Sequence, residues 1–99
     1  MHISDLSDAV YRLVDDFDIA PEVFNCGVGV DHTINDYYNK VAEVVGWNGK
    51  FVHDLSKPAG MHQKLSDISR QTEWGWKPKI TLNEGIKITY DYYLRKVVK

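Results

Sequence analysis

A small α/β domain built on a parallel strand–helix–strand unit, with helices on its flanks, is the fold class this sequence predicts. Three observations lead there. Val23-Phe24-Asn25-Cys26 is a short strand-like run that Gly27-Val28-Gly29 turns away. Lys50-Phe51-Val52-His53-Asp54 is a second such run, entered through the turn Trp47-Asn48-Gly49 and left through Ser56-Lys57-Pro58-Ala59-Gly60. Between them lies a helix-period stretch of about a dozen residues, as a crossover between parallel strands requires. Ligands of such sheets collect where strands end and loops begin. The loop Ser56–Lys64 is therefore the first place to look for a site.

Taken in order, Ile3, Leu6, Val10, Leu13, Val14 and Phe17 recur at three- and four-residue steps and predict an amphipathic first helix. Asp5, with Asp8 three residues on, is its expected cap. The acids Asp15, Asp16 and Asp18 oppose the dipole at its far end, and Pro21 lies beyond. This helix starts within about four residues of Met1, so the sequence reads as one that begins inside a domain. Thr33 with Asp36 forms a capping box for the second helix, whose stripe is Ile34, Tyr37, Tyr38, Val41, Val44 and Val45 and whose stop is Gly46. A short third helix is expected from the Ser66-Asp67 cap and the Gly75 stop, with Ile68 as its buried contact. Thr81 with Glu84 opens the last helix, with Ile86, Thr89, Tyr90, Tyr93, Leu94 and Val97 on one stripe. Two parallel strands alone keep two open edges, so the predicted sheet calls for a further strand or a second chain.

At 99 residues the chain has room for one domain. No apolar run approaches the ~20 residues of a membrane span, and Met1–Asp5 lacks the basic, apolar pattern of a signal peptide. One cysteine, Cys26, forms no internal disulfide and reads as a small buried apolar group. The expected compartment is the cytoplasm. A net charge of −2 gives no reason to expect nucleic acid. The charge is divided unevenly. Residues 1–49 hold nine acids against Arg12 and Lys40, a net −7, and residues 50–99 hold ten bases against five acids, a net +5.

Few residue patterns point to chemistry. Gly27-x-Gly29 has the start of a dinucleotide fingerprint, but His32 stands where the third glycine belongs, and Asp31 would repel a pyrophosphate. Tyr92-x-x-x-Lys96 matches a dehydrogenase acid–base pair by spacing alone, at the end of a surface helix, and is rejected. His2, His32, His53 and His62 have no metal-ligand spacing. Between Lys57 and Lys79, the cations Lys57, Lys64, Arg70, Lys77 and Lys79 are interleaved with His62, Gln63, Trp74 and Trp76, a composition suited to a phosphate-bearing ligand with a ring to stack.

A longer pattern then emerges. His2-Ile3-Ser4-Asp5-Leu6, Asn25-Cys26-Gly27-Val28-Gly29-Val30-Asp31-x-Thr33-Ile34 and Ala42-Glu43-Val44-Val45-Gly46-Trp47-x-Gly49 fall in order. Asp54-x-Ser56-Lys57-Pro58-x-Gly60, Lys64-Leu65-x-Asp67-x-Ser69-Arg70 and Gly75-Trp76-Lys77-Pro78 follow. The set resembles the C-terminal third of the GDP-L-fucose synthases, members of the NAD-dependent epimerase/dehydratase family of extended short-chain dehydrogenases/reductases.

The resemblance implies that residues 1–99 are a nucleotide-sugar-binding domain, incomplete relative to the full fold because the N-terminal Rossmann domain is absent. Members of the family bind NADP in that missing domain. The fucose synthases epimerise GDP-4-keto-6-deoxymannose at two carbons and reduce its ketone. The cofactor loop and the catalytic residues belong to parts this chain lacks, so no catalytic, cofactor or metal residue is assigned and the chain alone is expected to be inactive. Its implied partner is a GDP-sugar, in a cleft shared with the missing domain; a homo-oligomer is expected separately, from the open edges of the predicted sheet. Lys64 matches a lysine associated with substrate, with Lys57 and Gln63 as secondary contacts. Ala59 stands where the family has aspartate, and His62-Gln63 where it has Pro-Arg, so a sugar or base acceptor and a bidentate phosphate donor are replaced. Two alternatives stay open: a stand-alone non-catalytic module that binds a nucleotide-sugar or self-associates, and a minimal mononucleotide binder using Gly27–Thr33.

Overall fold

The computed structural model describes residues 1–98. Its helices are α1 (Ile3–Asp15), α2 (Ile34–Val45), α3 (Ser69–Trp74) and α4 (Leu82–Lys96). Among the described residues there is no strand and no sheet. The predicted α/β class and its parallel strand–helix–strand unit are therefore overturned.

The reason lies in what satisfies each would-be strand. Around the first segment, Arg70 Nη1 donates to the Val23 carbonyl at 2.8 Å and Asn25 Nδ2 donates to the Asp67 carbonyl at 3.1 Å. Gly27 exchanges two hydrogen bonds with the side-chain amide of Gln71. The second segment lies along α2 instead. Phe51 stacks on Tyr38 at 5.6 Å and meets Trp47 at 4.9 Å, while His53 Nε2 is hydrogen-bonded to Asn35 Oδ1 at 2.8 Å. Each segment is held by a different helix, so neither supplies the other with a ladder. A parallel pair of two short strands has too few bonds to compete with that.

The helix ends follow the local chemistry with two exceptions, the starts of α3 and α1. Thr33 and Asp36 close a reciprocal capping box on α2, and Thr81 and Glu84 close another on α4. Gly46 and Gly75 end α2 and α3 in the left-handed conformation. Asp67 Oδ1 accepts from the Ser69 amide at 2.9 Å, but the residue at the cap position of α3 is Ile68. On α1 the predicted Asp5 cap is corrected. His2 is the cap, its Nδ1 accepting from the Ser4 amide at 3.2 Å, and Asp5 lies inside the first turn.

Asp5 serves a distant part of the chain. It is 5 % exposed, and its two oxygens accept from the amides of Lys79 and Ile80 at 3.1 and 2.9 Å. Asp8 and Asp16 accept from the indole N–H groups of Trp76 and Trp74, each at 2.9 Å. Arg12 donates to the carbonyls of Gly75 and Trp74 and lies over the Trp74 ring at 5.1 Å. The side of α1 turned to the body is thus its polar one, with Ala9 among the buried residues. Most of its apolar stripe faces outward, with Leu13 half-buried.

The core is correspondingly small: Ala9 and Trp76 are the buried hydrophobic residues, with Asp5 and Gln71 buried beside them. α2 and α4 pack directly on each other. The molecule measures 50 × 36 × 17 Å, with a radius of gyration of 16.9 Å where a compact chain of this length has about 13 Å. Its accessible surface is 8414 Å², roughly 2,600 Å² more than size scaling gives a globular chain of 11.4 kDa. Among the described residues no helix is long and apolar enough to cross a membrane.

Candidate functional site

The stretch from Asp54 to Ile68 carries all three predicted substrate contacts and has no regular structure. Its ends are held firmly by local chemistry. At the start, Asp54 Oδ1 accepts from the amide and hydroxyl of Ser56 at 3.0 and 2.6 Å, folding an Asx turn just ahead of Lys57. The Ser56 hydroxyl, then its amide, keep the Asp54 carboxyl below its ordinary value. At the end, the Ser69 hydroxyl and amide do the same for Asp67, with the Arg70 charge adding to the effect. Asn25 binds the Asp67 carbonyl, and Ile68 packs over Gly27 and Gly29.

Lys57, Gln63 and Lys64 are all exposed, and neither lysine forms an ion pair among the described residues. An exposed ammonium on an anchored loop can meet a diphosphate as a point charge. The remaining cations of the predicted basic segment are dispersed. Arg70 is spent on the Val23 carbonyl, and Lys79 lies on another groove. The tryptophans offered as a stacking surface are structural: Trp76 is 3 % exposed, and Trp74 is held among Arg12, Asp16 and Phe24. Cys26 is half-buried, and burial raises its thiol pKa, so it stays a protonated, small packing group.

That second groove, of about 1060 Å³, runs between α2 and α4. Tyr37, Val41 and Val45 form one wall and Ile86, Tyr90 and Tyr93 the other, with Lys40 and Lys79 among its polar groups. None of Lys57, Gln63 and Lys64 lines it. Among the described residues no three His, Cys, Asp or Glu side chains gather where they could hold a metal.

The Gly27–Gly29 turn does not fit a dinucleotide. Its glycines do not open a helix, since α2 begins only at Ile34. Gly29 has φ +81°, and a Cβ built there would collide with the Ile68 side chain, so the space above the turn is filled from within the chain. Gln71 occupies the Gly27 amide, one of the donors that such a turn would present to phosphate. The same contacts take up the Gly27 and Gly29 end of the Gly27–Thr33 stretch on which the mononucleotide-binder reading rests.

Sequence reasoning missed Gln71 and the distant partners of Asp5. Gln71 is fully buried, yet Ser69-Arg70-Gln71-Thr72 has no local feature to mark it. Asp5 lies on the face opposite the apolar stripe, where an acid is expected to be solvated.

No family model matches the chain. Curated relatives do. A GDP-L-colitose synthase of Yersinia pseudotuberculosis is 40 % identical over 96 residues, covering 97 % of this chain and 31 % of that protein. A GDP-L-fucose synthase of Azorhizobium caulinodans is 40 % identical over 94 residues, 95 % of this chain and 30 % of that protein. A probable GDP-L-fucose synthase of Oryza sativa subsp. japonica is 45 % identical over 98 residues, 99 % of this chain and 30 % of that protein. The chain spans about three tenths of the length of the curated relatives it matches. The resemblance carried by the ordered motifs is borne out: over nearly its whole length this chain is a homologue of the GDP-L-fucose synthases.

Proposed function

We propose that residues 1–99 are the substrate-side, C-terminal portion of a GDP-L-fucose-synthase-like enzyme that epimerises and reduces a GDP-keto-sugar with NADP. The observation that carries this reading is similarity over 95–99 % of the chain to about 30 % of enzymes named for GDP-sugar products. The flat shape and small core support it, because a domain that forms one wall of a larger enzyme leaves much surface for the rest to cover.

The NADP-binding half and the reacting acid–base groups lie in sequence with no counterpart here. NADPH would supply the hydride for ketone reduction when bound to that half, leaving as NADP+. This chain's share is to hold the sugar nucleotide. Lys64 places a positive charge against the diphosphate, and Lys57 and Gln63 add weaker polar contacts from the same loop. With Ala59 and His62-Gln63 in place of the family's aspartate and Pro-Arg, the hold rests on a lysine point charge rather than a bidentate fork.

The test measures NADPH oxidation with GDP-4-keto-6-deoxymannose, for the chain alone and for the chain joined to the nucleotide-binding part of the Azorhizobium relative. Expected are no turnover alone, turnover in the hybrid, and a Lys64→Met hybrid whose KM rises about tenfold, the scale of one lost charge-assisted contact. Turnover by the chain alone would refute the division of labour. An inactive hybrid with saturable GDP-sugar binding by the chain alone would assign the stand-alone binding module instead.

A further inference from the structure

We propose that Asn48 is a modification site at which the chain rearranges its own backbone. The Gly49 amide nitrogen attacks the side-chain amide carbon of Asn48, and the turn between α2 and the Phe51 segment becomes an isoaspartyl link. The proposal stands apart from the activity proposed above.

The step needs only the chain and water. A bond forms between the Gly49 nitrogen and Asn48 Cγ, the Cγ–Nδ2 bond breaks, and Nδ2 leaves as ammonia with the proton that the Gly49 nitrogen gives up. The cyclic imide that results takes up water. Opening at the former side-chain carbonyl gives aspartate, and opening at the former main-chain carbonyl gives isoaspartate, with the main chain now running through Cγ. Nothing is oxidised or reduced.

The chain has five asparagines, and the structure prepares Asn48 for this attack and hinders the others. Asn35 and Asn83 precede amides that are already donated, Asp36 N to Thr33 Oγ1 at 3.0 Å and Glu84 N to Thr81 Oγ1 at 3.3 Å. Asn39 lies inside α2, where the next amide is committed to the helix ladder. Asn25 is held through Nδ2 on the Asp67 carbonyl at 3.1 Å, and the side chain of Cys26 crowds the amide that follows it. Asn48 lies beyond the Gly46 cap of α2, in exposed chain without regular structure. Among the described residues neither its side chain nor the Gly49 amide has a hydrogen-bond partner. That nitrogen is therefore free to turn and to lose its proton, with no side chain beside it.

Trp47 is the reason that residue 49 is a glycine. Gly49 is not one of the left-handed glycines, but the Trp47 indole lies where its Cβ would be. An isoaspartyl link adds a methylene to the main chain between Trp47 and Gly49 and puts a carboxylate beside Lys50. The indole then loses its seat over Gly49, and with it the 4.9 Å contact to Phe51, which stacks on Tyr38 at 5.6 Å. Those rings and the His53–Asn35 hydrogen bond hold the second segment along α2, so the modified segment opens more readily.

The experiment incubates the whole chain, and beside it a blocked peptide of residues 47–51, at neutral and at mildly alkaline pH. Peptide mapping by mass spectrometry locates the conversion of amide to acid, and an isoaspartyl methyltransferase distinguishes the two acids. Expected are conversion at Asn48 ahead of every other asparagine, isoaspartate in excess of aspartate, and a faster reaction at the higher pH. The folded chain should react within about tenfold of the peptide's rate, and Asn48→Gln, which must close a larger ring, at least about tenfold more slowly than the unaltered chain. Amide exchange over residues 51–54 should be faster in the modified chain and unchanged in an incubated Asn48→Gln chain. A folded chain slower than the peptide by more than that factor, earlier conversion at another asparagine, or aspartate alone, the product of direct hydrolysis, overturns the proposal. Unchanged exchange over residues 51–54 after full conversion overturns the consequence drawn for the second segment.

Discussion

Gln71 is the side chain whose loss this structure makes most informative. Its Oε1 accepts from the Gly27 amide at 2.9 Å, its Nε2 donates to the Gly27 carbonyl at 3.0 Å, and it is 0 % exposed. It does for one residue what a neighbouring strand would do, and it spans 44 positions of sequence to do so. Gln71→Met keeps length and volume and removes both bonds. Each orphaned backbone group costs about 1–3 kcal/mol when buried. Both bonds are part-buried, so the pair is expected to cost about 2–3 kcal/mol, toward the lower end of that range. With a urea slope of about 1 kcal/mol/M for a chain this small, the midpoint should fall by about 2 M. Trp74, the last residue of α3, and Trp76 just beyond it report the transition by fluorescence. Gln71→Glu retains the acceptor but sets a carboxylate oxygen against the Gly27 carbonyl, and should be no better than methionine at pH 7. A Gln71→Met midpoint within about 0.5 M of the unaltered chain would show that Gly27 is held by something else.

Three further outcomes follow from the same geometry. Asp5→Asn leaves one oxygen for two amides and turns an N–H₂ toward the other, so it should cost about 1–3 kcal/mol and be seen as faster exchange at Lys79 and Ile80; unchanged exchange there would remove the staple. Gly29→Ala meets a left-handed φ and the Ile68 side chain together, and should destabilise by at least about 1–2 kcal/mol, with only the steric part recovered by adding Ile68→Ala; full recovery would deny the backbone contribution. The Asp36 and Glu84 carboxyls are held below their ordinary values of 3.8 and 4.5, chiefly by the backbone amides of Thr33 and Thr81. Depressed native pKa values stabilise the fold above the ordinary values, and that contribution is lost as pH falls through the native ones. Helical circular dichroism should therefore decline below about pH 4.5, less so in an Asp36→Ala/Glu84→Ala chain, and equal declines would remove the capping explanation.

What the sequence determined by itself was most of what residues three or four apart govern, the starts of α1 and α3 excepted. The two capping boxes, the glycine stops at Gly46 and Gly75, and the four helices follow from bonds closed within one turn, which neighbours in sequence suffice to specify. The ordered motifs also carried the kinship, because shared descent is written residue by residue. The tertiary structure alone decided the rest. A stripe such as Ile3 to Phe17 says that a face calls for burial, but not whether this chain supplies the cover. Phe24 and Val52 carry strand propensity, yet a strand exists only where a ladder partner lies alongside. Here Gln71, Arg70 and Asp67 on one side and Tyr38, Trp47 and Asn35 on the other took that place. The partners of the first segment are 42 to 47 residues away, and those of the second are 4 to 18 away, because α2 leads straight into it. Local chemistry cannot choose among distant partners; only the packing of the whole chain can.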